Sequence, residues 1–331
     1  MTADVQLKVV REHSRSEMFL SLARVRGSSR VFVGAADGNV YDFDAVVEKP
    51  ELKPLTGHTS FVTGVAIADE LVVSGGYDCS LIWRKLDGGE IVRQVADAHA
   101  RWIRKIIASP DGRFVASAGD DMVCRVWESS TGSLRYELRG HEPRTPNYFP
   151  SMLYTCAFSA DGQRLATADK IGRICIWDVA SGAQVRTIEA PGFYTWDPRQ
   201  RIHSIGGTRA LAFSPDGKLL AAGGVGVIGN IDHLDGPARI EMFETDSGQS
   251  IHVFSAEGKG LIEQILFHPA NPILLGLGGD NGGLWQAHDL TEKKTIRSEK
   301  APMHVYAAEF SDDAKQLFAV GHGRIVIWDL S

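Results

Sequence analysis

One stretch repeats imperfectly along the whole chain, and that repetition restricts the possible folds more than any other feature. Residues 99–128 read HARWIRKIIASPDGRFVASAGDDMVCRVWE, with His99, Ser117, Asp121 and Trp127 set among short runs rich in Val, Ile and Ala. His58, Ser74, Asp78 and Trp83 follow in the same order one unit earlier. A unit this short cannot bury its apolar faces alone, so its copies must pack on one another.

Each copy has the same grammar: three short β-type runs separated by tight turns, an aromatic residue, and a fourth run leading to the next copy. Turn chemistry is explicit at Ser109-Pro110-Asp111-Gly112 and Ser214-Pro215-Asp216-Gly217, where Pro presets φ and Gly accepts a positive one. The first run ends at Val25, Ile67, Ala108, Phe158, Phe213, Phe267 and Phe310, which stand 42, 41, 50, 55, 54 and 43 residues apart. A basic period of about 40 to 45 with a Trp-Asp ending is that of four-stranded antiparallel blades packed radially. Residues 1–331 are therefore predicted to form one all-β domain. Its expected architecture is a closed seven-bladed β-propeller of four-stranded antiparallel blades, with the N-terminal strand completing the last blade. The last copy ends at Trp328-Asp329 without a fourth run, and residues 5–10 are unassigned, so residues 7–10 are expected to pair with 324–328.

The sequence resembles the WD-repeat (WD40) β-propeller family over essentially its whole length. Trp177-Asp178 and Trp328-Asp329 match the eponymous pair, and Gly57-His58 and Gly140-His141 match the opposite end of the repeat. The resemblance implies a structural hydrogen-bonded network on His99, Ser117, Asp121 and Trp127, and on His58, Ser74, Asp78 and Trp83, the second set being one residue shorter before its tryptophan. In the fourth unit only His141, Thr167 and Trp177 match, with Ile171 where the aspartate is expected. Many members of the family are interaction scaffolds, although a fold by itself names no partner.

Histidine, serine and aspartate together could suggest a hydrolytic triad. Recurrence with the blade period argues for a structural role, because a catalytic constellation is normally built once beside a pocket. The glycine-rich segment 223–229 lacks Gly-Lys-Ser/Thr and leads into no helical pattern, so phosphate binding is not expected there. No cofactor motif is present. The weak metal alternative is Asp232, His233 and Asp235, which have ligating chemistry but no further support.

The formal charge of −6 argues against nucleic acid as the partner. No run is apolar and long enough to cross a bilayer as a helix, and the N-terminus has no secretory pattern. Cys79, Cys124, Cys156 and Cys175 form no close Cys-x-x-Cys pair and read as free thiols, so a cytoplasmic location is expected.

The departures from the repeat are the better guide to function. Segments 142–152, 189–207 and 223–238 exceed the basic period, and antiparallel connectivity sends all three to one face. The first two carry Arg144, Tyr148, Phe149, Phe193, Tyr194, Trp196, Arg199, Arg201 and His203. Aromatic and arginine side chains suit a recognition surface, and a satellite core beneath long loops is the structural alternative. The expected function is a non-catalytic scaffold for a protein or peptide partner. The alternative is a small-ligand or metal-dependent enzyme or sensor, using His203, Asp232 and His233 or the axial channel mouth.

Overall fold

The computed structural model describes residues 5–199, 202–229, 236–255, 260–279 and 282–331. Short runs rich in β-branched and small residues give a succession of antiparallel strands, and the second strand of each unit, such as Phe114–Gly119 and Ile273–Gly278, is buried on both faces. Four-stranded sheets are formed by β5–β8 (Val62–Ala68, Leu71–Gly76, Leu81–Lys85, Ile91–Val95) and β9–β12 (Ile103–Ala108, Phe114–Gly119, Cys124–Glu128, Leu134–Leu138). Three more follow. They are β13–β16 (Leu153–Phe158, Arg164–Asp169, Arg173–Asp178, Gln184–Glu189), β19–β22 (Thr208–Phe213, Leu219–Val225, Ala238–Glu244, Ser250–Ser255) and β23–β26 (Ile262–Phe267, Ile273–Gly278, Leu284–Asp289, Lys294–Glu299).

The sixth sheet corrects the expected ring of seven discrete four-stranded blades. It contains β1 (Leu7–Arg24), β2 (Arg30–Ala35), β3 (Val40–Asp44), β4 (Lys53–Leu55), β27 (Val305–Phe310) and β28 (Gln316–Leu330), in the order β27-β28-β1-β2-β3-β4. Residues 7–14 of β1 pair with β28, with Leu7 opposite Leu330 and Val9 opposite Trp328, and residues 19–24 pair with β2. The N-terminal strand runs on into the first repeat, so it completes no separate seventh blade. Among the described residues the hydrogen-bonded architecture is a six-bladed, open array with both ends of the chain in one six-stranded sheet.

The physical reason lies in residues 12–17, whose polarity reads as a break in the strand. Three of their side chains find partners across the sheet, so the backbone stays extended. His13 Nε2 lies 3.0 Å from the Ala45 carbonyl, Arg15 Nη2 donates to the Pro50 carbonyl at 3.1 Å, and Glu12 is ion-paired with Arg324.

Neighbouring sheets bury their faces against one another. Between the second and third units Trp83, Trp127, Ile103, Ile106 and Val115 share a core, and each such side chain contributes about 1.5–3 kcal/mol on full burial. Cys124, Cys156 and Cys175 are buried in the next interface, among Leu153, Leu165 and Trp177. Inner strands approach each other closely where the second strand ends in glycine. A Cβ at Gly76 would stand 1.8 Å from the Phe61 carbonyl oxygen, and one at Gly278 would stand 2.0 Å from that of Leu261. The inner strands line a central channel of about 630 Å³, with Thr63, Lys105, Thr155, Glu263 and Glu309 among the polar residues of its wall.

Candidate functional site

In the third unit His99 Nδ1 lies 3.0 Å from Asp121 Oδ1 and Nε2 lies 2.8 Å from Ser117 Oγ, which also accepts the Trp127 indole N–H at 2.9 Å. Asp121 further accepts the Ala100 N–H at 3.0 Å, tying the approach to the inner strand to the second hairpin. In the second unit His58 makes the same two contacts, to Asp78 and Ser74, both at 2.9 Å. The His58, His99 and His141 side chains are all fully buried, so these groups hold the blade together and present no reactive face.

Two members of the expected network differ. Trp83 lies opposite Val73 and Ser74 lies opposite Ile82, so the turn that is one residue shorter puts the indole on the other face of the sheet. Its Nε1 has no hydrogen-bond partner, and the ring packs edge-on against Trp127 at 6.1 Å. In the fourth unit the aspartate is present but displaced. Asp169 Oδ2 lies 2.9 Å from His141 Nδ1, while Thr167 Oγ1 lies 2.8 Å from Nε2 and accepts the Trp177 indole at 3.0 Å. Asp169 pairs with Leu153 as Gly119 pairs with Ile103, so it occupies the strand position of that glycine, not the later hairpin position of Asp121. A Cβ built on Gly119 would stand 2.4 Å from His99 Nδ1, which shows how directly a side chain there aims at the histidine.

The two pairs titrate in opposite directions. Burial holds His99 below the usual imidazole range despite Asp121, and the Arg125 guanidinium, 2.8 Å from Nδ1, adds to the depression. Burial also opposes protonation of His141, but its hydrogen bonds to Asp169 and Cys175 outweigh it and raise the imidazole to about 9.

The enlarged segments meet. Arg144 bridges to Pro150 and donates to the Tyr148 carbonyl at 2.8 Å, folding 144–150 into a tight loop with Tyr148 at a φ of 65°. Segment 189–207 contains a 3-10 turn (Pro191–Phe193) and a two-stranded ribbon, β17 (Tyr194–Trp196) with β18 (Ser204–Gly206). The Tyr194 hydroxyl lies 3.0 Å from Ser204 Oγ and donates to Asn147 Oδ1 at 3.5 Å, and the Phe149 and His203 rings are 6.0 Å apart. Thr195 Oγ1 accepts the Ile228 N–H at 2.8 Å, joining the third enlarged segment to the ribbon.

Among the sequence candidates Phe193 belongs to the core, fully buried beneath the ribbon. Tyr148 and Trp196 face outward at 79% and 45% exposure, joined by Ile202 at 39% and Val227 at 62%. Arg144 and Arg199 are exposed as well. Arg201, and with it Asp232, His233 and Asp235, lies outside the described residues. Among the described residues no group of three His, Cys, Asp or Glu side chains is arranged to hold a metal.

A second cluster, at the channel mouth on the same face, is absent from the sequence reading. Phe61, Tyr77 and Trp102 form a continuous stack, with centroids 5.4 and 4.3 Å apart and planes inclined by 19° and 8°. Arg104 lies over Tyr77 and Trp102 and forms a two-pronged ion pair with Asp120, at 2.8 and 2.7 Å. Arg209 lies 3.7 Å from the centre of the Tyr154 ring. These residues occur at blade-periodic positions, just before the first strand, at its second residue, and just after the second strand. Register would have found them; loop length does not.

A family model described as WD domain, G-beta repeat, matches residues 49–83, 90–128, 132–178 and 199–226. The chain is 27% identical to nuclear distribution protein PAC1 of Arthroderma otae over 239 residues, covering 64% of this chain and 48% of that protein. It is 23% identical to protein tipD of Dictyostelium discoideum over 302 residues, covering 88% of this chain and 43% of the other. With protein hir-1 of Neurospora crassa it shares 29% over 178 residues, which cover 50% and 16% of the two chains. The chain thus spans about half, or less, of the length of these relatives. Repeat, network and radial sheets agree with these matches, and the chain belongs to the WD-repeat (WD40) β-propeller family.

Proposed function

We propose that this protein recognises a protein or peptide partner without catalysis, through the platform built by segments 142–152 and 189–207. The fold is that of a WD-repeat interaction scaffold. The observation that carries the finer reading is the outward aromatic pair, Tyr148 and Trp196, on loops that brace each other through Tyr194–Asn147 and Phe149–His203. Rigid aromatic side chains give large contact area at low entropic cost, which is why they dominate binding energy at interfaces. Phe193 and Tyr194 anchor the platform, and Tyr148 and Trp196 present it.

The reducing cytoplasm is the proposed compartment, a reading supported by four free cysteines. The test is co-purification from the native host with mass spectrometry, comparing wild type with a Tyr148→Ala/Trp196→Ala variant. The variant is expected to keep its thermal melt and lose its specific partners. An unchanged partner set in a folded variant overturns the loop reading.

A further inference from the structure

The mouth of the channel contains two arginines in equivalent places, and among the described residues only one of them is held in a direct salt bridge. Arg104 is the second residue of β9, and Arg209 is the second residue of β19. Ile103 pairs with Gly119 and Thr208 pairs with Gly224, so the residue that follows each glycine is the structural counterpart of the other: Asp120 in one unit, Val225 in the next but one. Asp120 neutralises Arg104 with two hydrogen bonds. Val225 offers Arg209 nothing.

Arg209 Nε is buried without a hydrogen-bond partner, and no carboxylate among the described residues lies within ion-pair distance of its guanidinium. Glu263, on the adjoining inner strand, is the carboxylate that feels Arg209 most: against burial, which pushes its carboxyl up, His304 at 3.8 Å and the charge of Arg209 hold it below the usual range, yet it makes no direct salt bridge to the guanidinium. The Tyr154 ring lies against the guanidinium, its centre 3.7 Å from the Arg209 Cζ. Lys170, whose ammonium donates to the Pro150 carbonyl at 3.3 Å, lies nearby: burial pushes its protonation down, and the charge of Arg209 adds to that lowering.

We propose that Arg209 receives a carboxylate of an extended acidic peptide, whose neighbouring aromatic side chain packs on the Phe61–Tyr77–Trp102 stack. Trp102 and Phe61 are 47% and 38% exposed, so the stack has an open face. A guanidinium fixed over a ring is pre-organised for a carboxylate, and charge-assisted bonds to it are among the strongest available. A nucleic-acid strand fits less well. Asp120 and Glu263 border the same mouth, and the two cations Arg209 and Lys170 do not make the continuous basic track that a repeating phosphate backbone needs. The inference rests on the recognition reading above, but uses a different part of the same face.

The test is fluorescence anisotropy with a fluorescein-labelled random copolymer of glutamate and tyrosine. A lysine–tyrosine copolymer and a ten-residue oligothymidylate serve as the competing chemistries. Wild type is expected to bind the acidic copolymer in preference to both. Arg209→Gln is expected to weaken it by about tenfold or more. Val225→Asp supplies the missing internal carboxylate and is expected to do the same while leaving Arg209 in place. Tyr148→Ala/Trp196→Ala is expected to bind the copolymer as wild type does.

Unchanged affinity in folded Arg209→Gln overturns the proposal, whatever the folding of the Val225→Asp protein. So does stronger binding of the lysine copolymer or the oligothymidylate, or no binding of the acidic copolymer by wild type. Those results leave the loop platform to its own test. Loss of copolymer binding in the loop variant, with Arg209→Gln silent, transfers the acidic specificity to the platform.

Discussion

Replacing Asp169 by alanine removes the acceptor for three donors at once. Its Oδ2 is bonded to His141 Nδ1 at 2.9 Å, and its Oδ1 accepts the backbone N–H groups of Ile171 and Arg173, each at 3.0 Å. The carboxylate and imidazole are essentially fully buried, so water cannot take its place at the histidine. A buried donor left without a partner costs about 1–3 kcal/mol. The two backbone donors are only partly buried and recover some of that loss by hydration, which gives a total of about 3–5 kcal/mol, in the range for breaking a buried ion pair from one side. At about 2 cal/mol/K of unfolding entropy per residue, a chain of 331 residues melts about 4–7 °C lower. Differential scanning calorimetry at pH 7 reads the shift, and urea titration reads the free energy. Adding Ile171→Asp, which restores the position where the family pattern expects the acid, is expected not to rescue the variant. A loss under about 1 kcal/mol, or rescue by Ile171→Asp, refutes the displaced-aspartate account.

The opposed histidines make stability fall on both sides of neutral pH. His141, raised to about 9 in the folded chain, binds a proton that the unfolded chain has released above pH about 6.5. Its contribution is complete below that point and is lost as pH rises towards 9. His99 is depressed, so the unfolded chain takes up the proton first, and its contribution is lost as pH falls below about 6.5. Urea unfolding across pH is expected to lose its alkaline limb in His141→Gln and part of its acid limb in His99→Gln; an unaltered profile in either variant contradicts the assignment. The tryptophans are expected to separate as well. Trp127→Phe removes a hydrogen bond to Ser117, and Trp83→Phe removes none, so the former is expected to cost about 1 kcal/mol more in the same assay. Equal losses would mean that the indole bond contributes nothing.

The mouth cluster and the displaced aspartate mark where one-dimensional reading stops. The period, the turns at Ser109-Pro110-Asp111-Gly112 and the marks His99, Ser117, Asp121 and Trp127 are local patterns, and local patterns are legible because strand, turn and repeat each impose their own spacing. They were sufficient for the radial arrangement of sheets and for two of the three histidine–aspartate pairs at their expected positions. They were insufficient for Asp169, because the same histidine can be reached from two positions on one hairpin, and sequence spacing favours the commoner one. Trp83 shows the complementary limit: one residue fewer in a turn exchanges the faces of a strand, which only pairing register reveals.

The enlarged segments stood out by length, and the structure divides their residues by burial, with Phe193 inside and Tyr148 and Trp196 outside. Aromatic type does not separate anchor from surface; the packing around it does. What the sequence by itself determined is the repeating unit and its hairpins, since those depend on residues close together in the chain. Tertiary structure alone decided that β1 runs through from the last repeat to the first, replacing a closed ring of seven separate blades by six radial sheets among the described residues, and that Val225 stands beside Arg209 in the register where Asp120 stands beside Arg104. Both depend on which strands lie side by side, and that is a property of the packed molecule.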